Sequence, residues 1–325
     1  MKFLRRLFVL SAVIGLLGAS AVYAAEPAKP KETPKDMVLK GDAKCTGCHD
    51  EADDTTPTML ELHPSVLAIG KTPHGVKGDA RTPTCTDCHG DSEKHISHKG
   101  SGKPPKPDRW FTKNTDTPAA EINGACLTCH KGGERTHWEG SQHAGQDVAC
   151  TSCHQVHAQH DKVRDKLTQP EVCFTCHKEQ RADSHKMSHH PIVEGKVTCS
   201  DCHNPHGSSG PKLLKKNTVT ETCFTCHAEK RGPFLFEHQP VTEDCTNCHN
   251  PHGSNVPPLL KSRPPFMCLE CHDGPHSTSP VGANAAGKQA GLSVAPSNNN
   301  VGAGCMNCHR QIHGSNSPAG GYFQR

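Results

Sequence analysis

Aromatic side chains are scarce: Phe, Trp and Tyr make up 4% of the 325 residues, and hydrophobic residues together reach only 33%. Side-chain burial on that scale cannot offset the conformational entropy of ordering the backbone, which excludes an ordinary globular core. Long apolar runs are missing beyond residue 24, which excludes a helical membrane protein once the N-terminus is removed. Charge excess is missing too. Of the 36 Lys and Arg, Lys2, Arg5 and Arg6 lie in the first 24 residues, and the remaining 33 balance 33 Asp and Glu. With no basic stripe and no aromatic platform, nucleic-acid binding is excluded. No cysteine stands alone, which argues against an ordinary disulfide framework.

What is present is histidine, proline, glycine and paired cysteine. Ten copies of C-x-x-C-H use all 20 cysteines: Cys45/Cys48, Cys85/Cys88, Cys126/Cys129, Cys150/Cys153, Cys173/Cys176, Cys199/Cys202, Cys223/Cys226, Cys245/Cys248, Cys268/Cys271 and Cys305/Cys308. Each pair is followed at once by His49, His89, His130, His154, His177, His203, His227, His249, His272 or His309. Zinc sites would consume the same thiolates but would not require a histidine after every pair. C-x-x-C-H is the attachment signature of c-type haem, in which two thiols bond the porphyrin vinyl groups and the adjacent imidazole binds the iron. Ten copies predict ten covalently bound haems c, with those ten histidines as proximal ligands. The porphyrins then supply the apolar bulk that the side chains lack. Their propionates make the holoprotein net acidic.

Residues 1–24 read as a signal peptide, with an uncleaved anchor as the alternative: a charged start, an apolar stretch from Leu7 to Gly18, short for a membrane span, and Val22-Tyr23-Ala24 before cleavage. Arg5-Arg6 hints at twin-arginine export, but that route carries folded proteins and this chain needs haem to fold, so a Sec-type signal to the periplasm fits better. Residues 25–40 read as a mobile Pro/Lys-rich leader, and 41–325 as the haem domain, built of repeated di-haem units or two pentahaem halves.

Motif starts are separated by 40, 41, 24, 23, 26, 24, 22, 23 and 37 residues, and a two-motif repeat is visible. Cys173-Phe-Thr-Cys-His177 recurs as Cys223-Phe-Thr-Cys-His227, and Cys199-Ser-Asp-Cys-His-Asn-Pro-His-Gly207 as Cys245-Thr-Asn-Cys-His-Asn-Pro-His-Gly253. The expected fold is a multihaem cytochrome c. It is mostly irregular, with short helical turns at the motifs, an elongated stack of haems and little regular secondary structure. Residues 274–304, rich in Gly, Ala, Ser and Asn, read as a long loop.

Sixteen histidines remain after the proximal ten, enough for a second imidazole on every iron. Two imidazoles keep potentials low, whereas methionine would raise them, and Met37, Met59, Met187, Met267 and Met306 read as packing contacts. His157, His206 and His252 lie three residues after a proximal histidine. That is too close to reach the far face of the same haem, so each is expected to reach the next porphyrin.

Several longer stretches go beyond the haem motifs. They are Ala149-Cys-Thr-Ser-Cys-His-Gln-Val-His157, Thr198-Cys-Ser-Asp-Cys-His-Asn-Pro-His-Gly-Ser208, Cys226-His-Ala-Glu-Lys-Arg-Gly-Pro233, Glu237-His238, Pro240-Val-Thr-Glu243, His313-Gly-Ser-Asn316 and Gln324-Arg325. On these, residues 40 to 325 resemble the MtrA/DmsE family of periplasmic decahaem cytochromes, which includes the MtoA and PioA types. The resemblance implies distal iron ligands at His74, His95, His143, His157, His190, His206, His238, His252, His276 and His313. It leaves His63, His98, His137, His160, His185 and His189 as surface residues.

The resemblance further implies electron transfer between periplasm and cell exterior through an outer-membrane β-barrel porin, for metal reduction or Fe(II) oxidation. The implied partners are periplasmic or inner-membrane cytochromes and an extracellular multihaem cytochrome. The location is the periplasm, in association with the outer membrane. The chain is thus expected to be an electron carrier and not an enzyme. The alternatives are a soluble periplasmic shuttle and a multihaem reductase. A reductase needs an open iron position, and no C-x-x-C-K variant occurs.

Overall fold

The computed structural model describes residues 44–45, 66–75, 81–112, 115–272, 305–307, 309–318 and 323. The stretches read above as signal peptide (1–24), leader (25–40) and loop (274–304), with Cys48, His49, His63, His276 and Cys308, lie outside the described residues. All described residues belong to one compact unit, Val38–Arg325.

Helices are short, and the longest among the described residues, Ala119–Leu127, has nine residues. Extended structure amounts there to isolated bridges such as His203↔Leu214 and His249↔Leu260. None of the described helices is long and apolar enough to cross a membrane. The buried hydrophobic residues among them are Ile122, Trp138, Phe174 and Leu214. So small a set leaves most of the interior surface facing a continuous cleft instead of other side chains.

Short turns at the motifs were expected, and they come in two alternating kinds. At even-numbered motifs the turn begins at the first cysteine: Cys85–His89, Cys150–Ser152, Cys199–Cys202, Cys245–Asn247 and Cys305–Asn307. At odd-numbered motifs a helix leads into the motif: Ala119–Leu127, Gln169–Phe174, Val219–Cys223 and Phe266–Leu269.

Local sequence explains both kinds. Thr84 and Asp87 form a capping box, with Thr84 N donating to Asp87 Oδ2 at 2.7 Å and Asp87 N to Thr84 Oγ1 at 3.3 Å. Thr198 N likewise donates to Asp201 Oδ2 at 2.8 Å, and Asp244 accepts from Thr246 N. The odd-motif helices start from proline or a threonine cap: Pro118, Gln169-Pro170, Thr218 and Pro265.

Candidate cofactor-binding centres

In eight motifs the histidine backbone N–H donates to the carbonyl of the first cysteine at 2.9–3.0 Å (His130, His154, His177, His203, His227, His249, His272 and His309). That single helical turn is what sets two thiols and one imidazole in a fixed relation.

Motifs that are consecutive in sequence are also neighbours in space. The thiols of Cys126 and Cys150 lie close enough to perturb one another, as do those of Cys173 and Cys199, Cys223 and Cys245, and Cys268 and Cys305. Between these pairs contact passes to the second cysteines. Cys153 lies within the electrostatic reach of Cys176, Cys202 of Cys226, and Cys248 of Cys271. Cys88 of the second motif faces Cys126. A period of two motifs therefore runs through the contacts as well as the sequence. A cleft of about 6280 Å³ is lined by cysteines from all ten motifs.

Across that cleft the imidazoles meet in pairs. Ring centroids are 5.8 Å apart for His74–His130, 6.3 Å for His89–His157 and 6.1 Å for His143–His177. They are 6.1 Å apart for His154–His206, 6.3 Å for His190–His227 and 6.1 Å for His203–His252. The series ends with His238–His272 at 6.0 Å and His249–His313 at 6.1 Å. Every pair joins a motif histidine to one that the family resemblance implies as distal. A metal ion held by imidazole bonds of about 2 Å on each side requires a spacing of this size.

The pairing has its own rule. His157, His206 and His252 were expected to reach the next porphyrin. Each instead faces the motif histidine two motifs earlier: His89, His154 and His203 respectively. Consecutive motifs are joined through their cysteines, so the imidazole that extends past one motif arrives at the one beyond it. His313 does the same for His249. The odd motifs draw on upstream loops: His74, His143, His190 and His238.

Hydrogen bonds orient these rings. Nδ1 faces a backbone carbonyl at His89 (Arg109 O, 3.1 Å), His95 (Pro105 O, 2.6 Å), His143 (Pro205 O, 2.8 Å), His190 (Pro251 O, 2.7 Å), His203 (Lys212 O, 2.9 Å) and His249 (Pro258 O, 2.9 Å). A carbonyl only accepts, so Nδ1 carries the proton and Nε2 keeps a lone pair for a metal. Burial pushes His130, His157, His203, His206, His238, His249, His252 and His313 below the ordinary imidazole pKa, which favours the neutral, ligating form.

His189 behaves in the opposite way. Its Nδ1 donates to Lys186 O at 2.5 Å and its Nε2 meets Glu194 Oε1 at 3.2 Å, and both contacts raise its pKa. Both nitrogens are thus engaged by groups of the protein, while the adjacent His190 faces His227. His160 Nε2 lies 3.5 Å from Asp165 Oδ2.

The Asn-Pro-His-Gly repeat does more than make a turn. His206 faces His154 while the carbonyl of Pro205 orients His143, the partner of His177. His252 and Pro251 play the same two parts for His203 and for His190, the partner of His227. Each loop therefore fixes two neighbouring centres. It is held down by a glycine: Gly207 has φ +110° and a Cβ there would lie 2.3 Å from His137 O, while Gly253 has φ +153° and a Cβ there would lie 1.9 Å from Asp183 O.

Asp161 was not legible as a site residue. Its Oδ2 accepts from His154 Nδ1 at 2.7 Å and its Oδ1 from Gln155 N at 3.3 Å. Burial raises its pKa, but the His154 contact and the Gln155 and Val163 amides outweigh it and hold the carboxyl below the usual range.

The donor set of paired thiols beside facing imidazoles fits covalent haem. Residues 189–232 and 238–276 match the model of the doubled CXXCH motif, and residues 85–169 match that of the NrfB-like cytochrome c-type protein. The chain is 28% identical over 147 residues to the cytochrome c-type protein NrfB of Escherichia coli O6:H1, covering 44% of this chain and 68% of that one. It is 40% identical over 292 residues to the multiheme cytochrome MtrA of Shewanella baltica strain OS185, covering 88% of this chain and 82% of that one. The chain belongs to the MtrA family of multihaem c-type cytochromes, electron-transfer proteins with covalently bound haem.

Proposed function

We propose that the chain carries ten haems c as an electron conduit between the periplasm and the cell exterior. The observation that supports this most directly is the unbroken order of the motifs along one cleft: from the second to the tenth, each adjoins the next through its thiols.

Bound there, haem supplies a one-electron Fe(III)/Fe(II) couple that cycles without making or breaking a bond. The cysteine pairs would tether each haem, and the motif histidines and the rings facing them would hold its iron. The facing rings are His157, His74, His206, His143, His252, His190, His313 and His238 for the second to ninth centres in that order. His95, whose Nδ1 is held by Pro105 O like the other oriented rings, serves the first. His276, which the family resemblance implies as a distal ligand, would be left for the remaining centre. An iron held by two imidazoles would have no position for a substrate, which favours electron carriage over reductase chemistry.

A polar, loop-rich chain cannot lie bare in hydrocarbon, so crossing the outer membrane calls for the polar lumen of a β-barrel porin. Periplasmic or inner-membrane cytochromes face one end, and an extracellular multihaem cytochrome faces the other. Intact-mass measurement of holoprotein tests the count, and ten haem masses are expected. Near-infrared magnetic circular dichroism should count ten bis-imidazole irons. Electron transfer into sealed liposomes should occur only when the porin is reconstituted with the chain. Transfer that never crosses the membrane leaves a soluble periplasmic shuttle instead.

A further inference from the structure

Where Nδ1 of the paired imidazoles meets a carbonyl, the hydrogen bond is neutral. At His154 it meets the carboxylate of Asp161 at 2.7 Å, a charge-assisted bond. Asp161 is mostly withdrawn from solvent, with a side-chain exposure of 18%. Its second oxygen is occupied by Gln155 N. The nearest comparable contact is weaker in kind: Glu229 Oε1 stands 3.8 Å from His227 Nδ1, beyond hydrogen-bond reach, and both side chains are more than half exposed.

A carboxylate on Nδ1–H draws the ring toward imidazolate and strengthens Nε2 as a donor. A stronger donor stabilises Fe(III) over Fe(II). The ring planes add a second feature. His154 and His206 are nearly parallel, 10° apart, whereas His74–His130, His89–His157 and His143–His177 cross at 77°, 87° and 74°. Parallel axial rings split the iron dπ orbitals and give a rhombic low-spin resonance. Crossed rings leave those orbitals nearly degenerate and give a single resonance of high anisotropy. The fourth centre is therefore spectroscopically separable from the second, third and fifth, which flank it along the chain.

We propose that Asp161 is a positioning residue that acts through His154 to depress the reduction potential of the fourth centre. This deepens the conduit reading and rests on His154 and His206 ligating the same iron.

The test is an electron paramagnetic resonance redox titration of holoprotein, wild type against Asp161→Asn. The amide keeps the size and an oxygen acceptor and removes the charge. One rhombic signal is expected to move to a higher midpoint, while the crossed-ring signals, the mass and the low-spin count stay unchanged. Titrations that superimpose overturn the proposal. Loss of a haem mass or appearance of a high-spin signal also overturns it, because Asp161 would then build the site and not tune it. The underlying ligand assignment fails by a separate result: a His206→Ala variant in which every iron stays low-spin.

Discussion

The loops after the sixth and eighth motifs are near copies, and the loop after the fourth is not. His203 Nδ1 donates to Lys212 O and His249 Nδ1 to Pro258 O, both at 2.9 Å. The next amides, Asn204 N and Asn250 N, donate to Leu213 O and Leu259 O, both at 2.7 Å. Lys215 N and Lys261 N then close each loop on Cys202 O and Cys248 O at 2.9 Å. After the fourth motif the same two donors, His154 Nδ1 and Gln155 N, both turn to the one carboxylate of Asp161. Two donors follow every one of these motifs and both must be satisfied once buried. Backbone carbonyls meet that demand without charge, whereas a carboxylate meets it with one.

The largest expected effect is at the glycines, which the repeated loops have and the fourth lacks. Gly207→Ala and Gly253→Ala each place a Cβ against a carbonyl oxygen in a left-handed backbone. A cost of about 3 kcal/mol is expected from strain and clash together. It should appear in thermal melts followed at the haem band, with one iron losing its second imidazole as His206 or His252 is displaced. Ala158 takes the equivalent place after the fourth motif, outside the left-handed region. Ala158→Gly should therefore leave the melt within about 1 kcal/mol of wild type. Equal sensitivity at Ala158 and Gly207 would erase the distinction between the loops.

Next in size is direct removal of an imidazole. His206→Ala should convert one iron, the fourth, and His252→Ala one iron, the sixth, with the other low-spin signals intact. The fourth centre's near-parallel rhombic signal should vanish in the first variant and survive in the second. If the two variants lose the same signal, the two-motif stagger is wrong.

Much of this was legible in the chain. Ten C-x-x-C-H motifs with no spare cysteine fix the tethering chemistry because the spacing is local. The scarcity of side chains suited to a core announced the small buried set around Ile122, Trp138, Phe174 and Leu214. The ring pairs were half legible, since sequence offered the distal candidates but not the partner of each. A histidine three residues after a motif has a short reach, and which ring it meets depends on how the motifs abut through their thiols. Asp161 was invisible, since an aspartate seven residues after a histidine has no periodicity to mark it. The carbonyls of Pro205 and Pro251 were hidden for a simpler reason: a backbone acceptor has no sequence signature.

A smaller contrast lies between the two copies themselves. Asn204 Nδ2 donates to Glu134 O at 2.7 Å and Gly207 O at 2.6 Å, and its Oδ1 accepts from His206 N at 3.2 Å. Asn250 keeps the bond from His252 N at 3.2 Å, but its Nδ2 reaches Asp183 Oδ2 only at 3.5 Å. Asn204→Ala should cost about 1–3 kcal/mol, because it strands buried carbonyls. Asn250→Ala should cost less, and the difference is measurable by paired melts. The reverse order would show that sequence identity between the loops conceals a different load on each.

The smallest effect separates the second motif from the fourth, whose turn lacks a capping side chain. Ala149 precedes Cys150 and offers no acceptor, whereas Thr84 precedes Cys85 and accepts from Asp87 N. Thr84→Val keeps the shape and deletes the acceptor, so a loss of about 1 kcal/mol is expected. Ala149→Thr offers the fourth motif the cap it lacks and should gain a fraction of that, provided the new hydroxyl reaches the amide of Ser152 in the N3 position. The double comparison, loss at one motif and gain at the other, distinguishes a capping effect from a packing effect. A packing effect would make Ala149→Thr destabilising, because the added atoms would crowd the turn that carries His154.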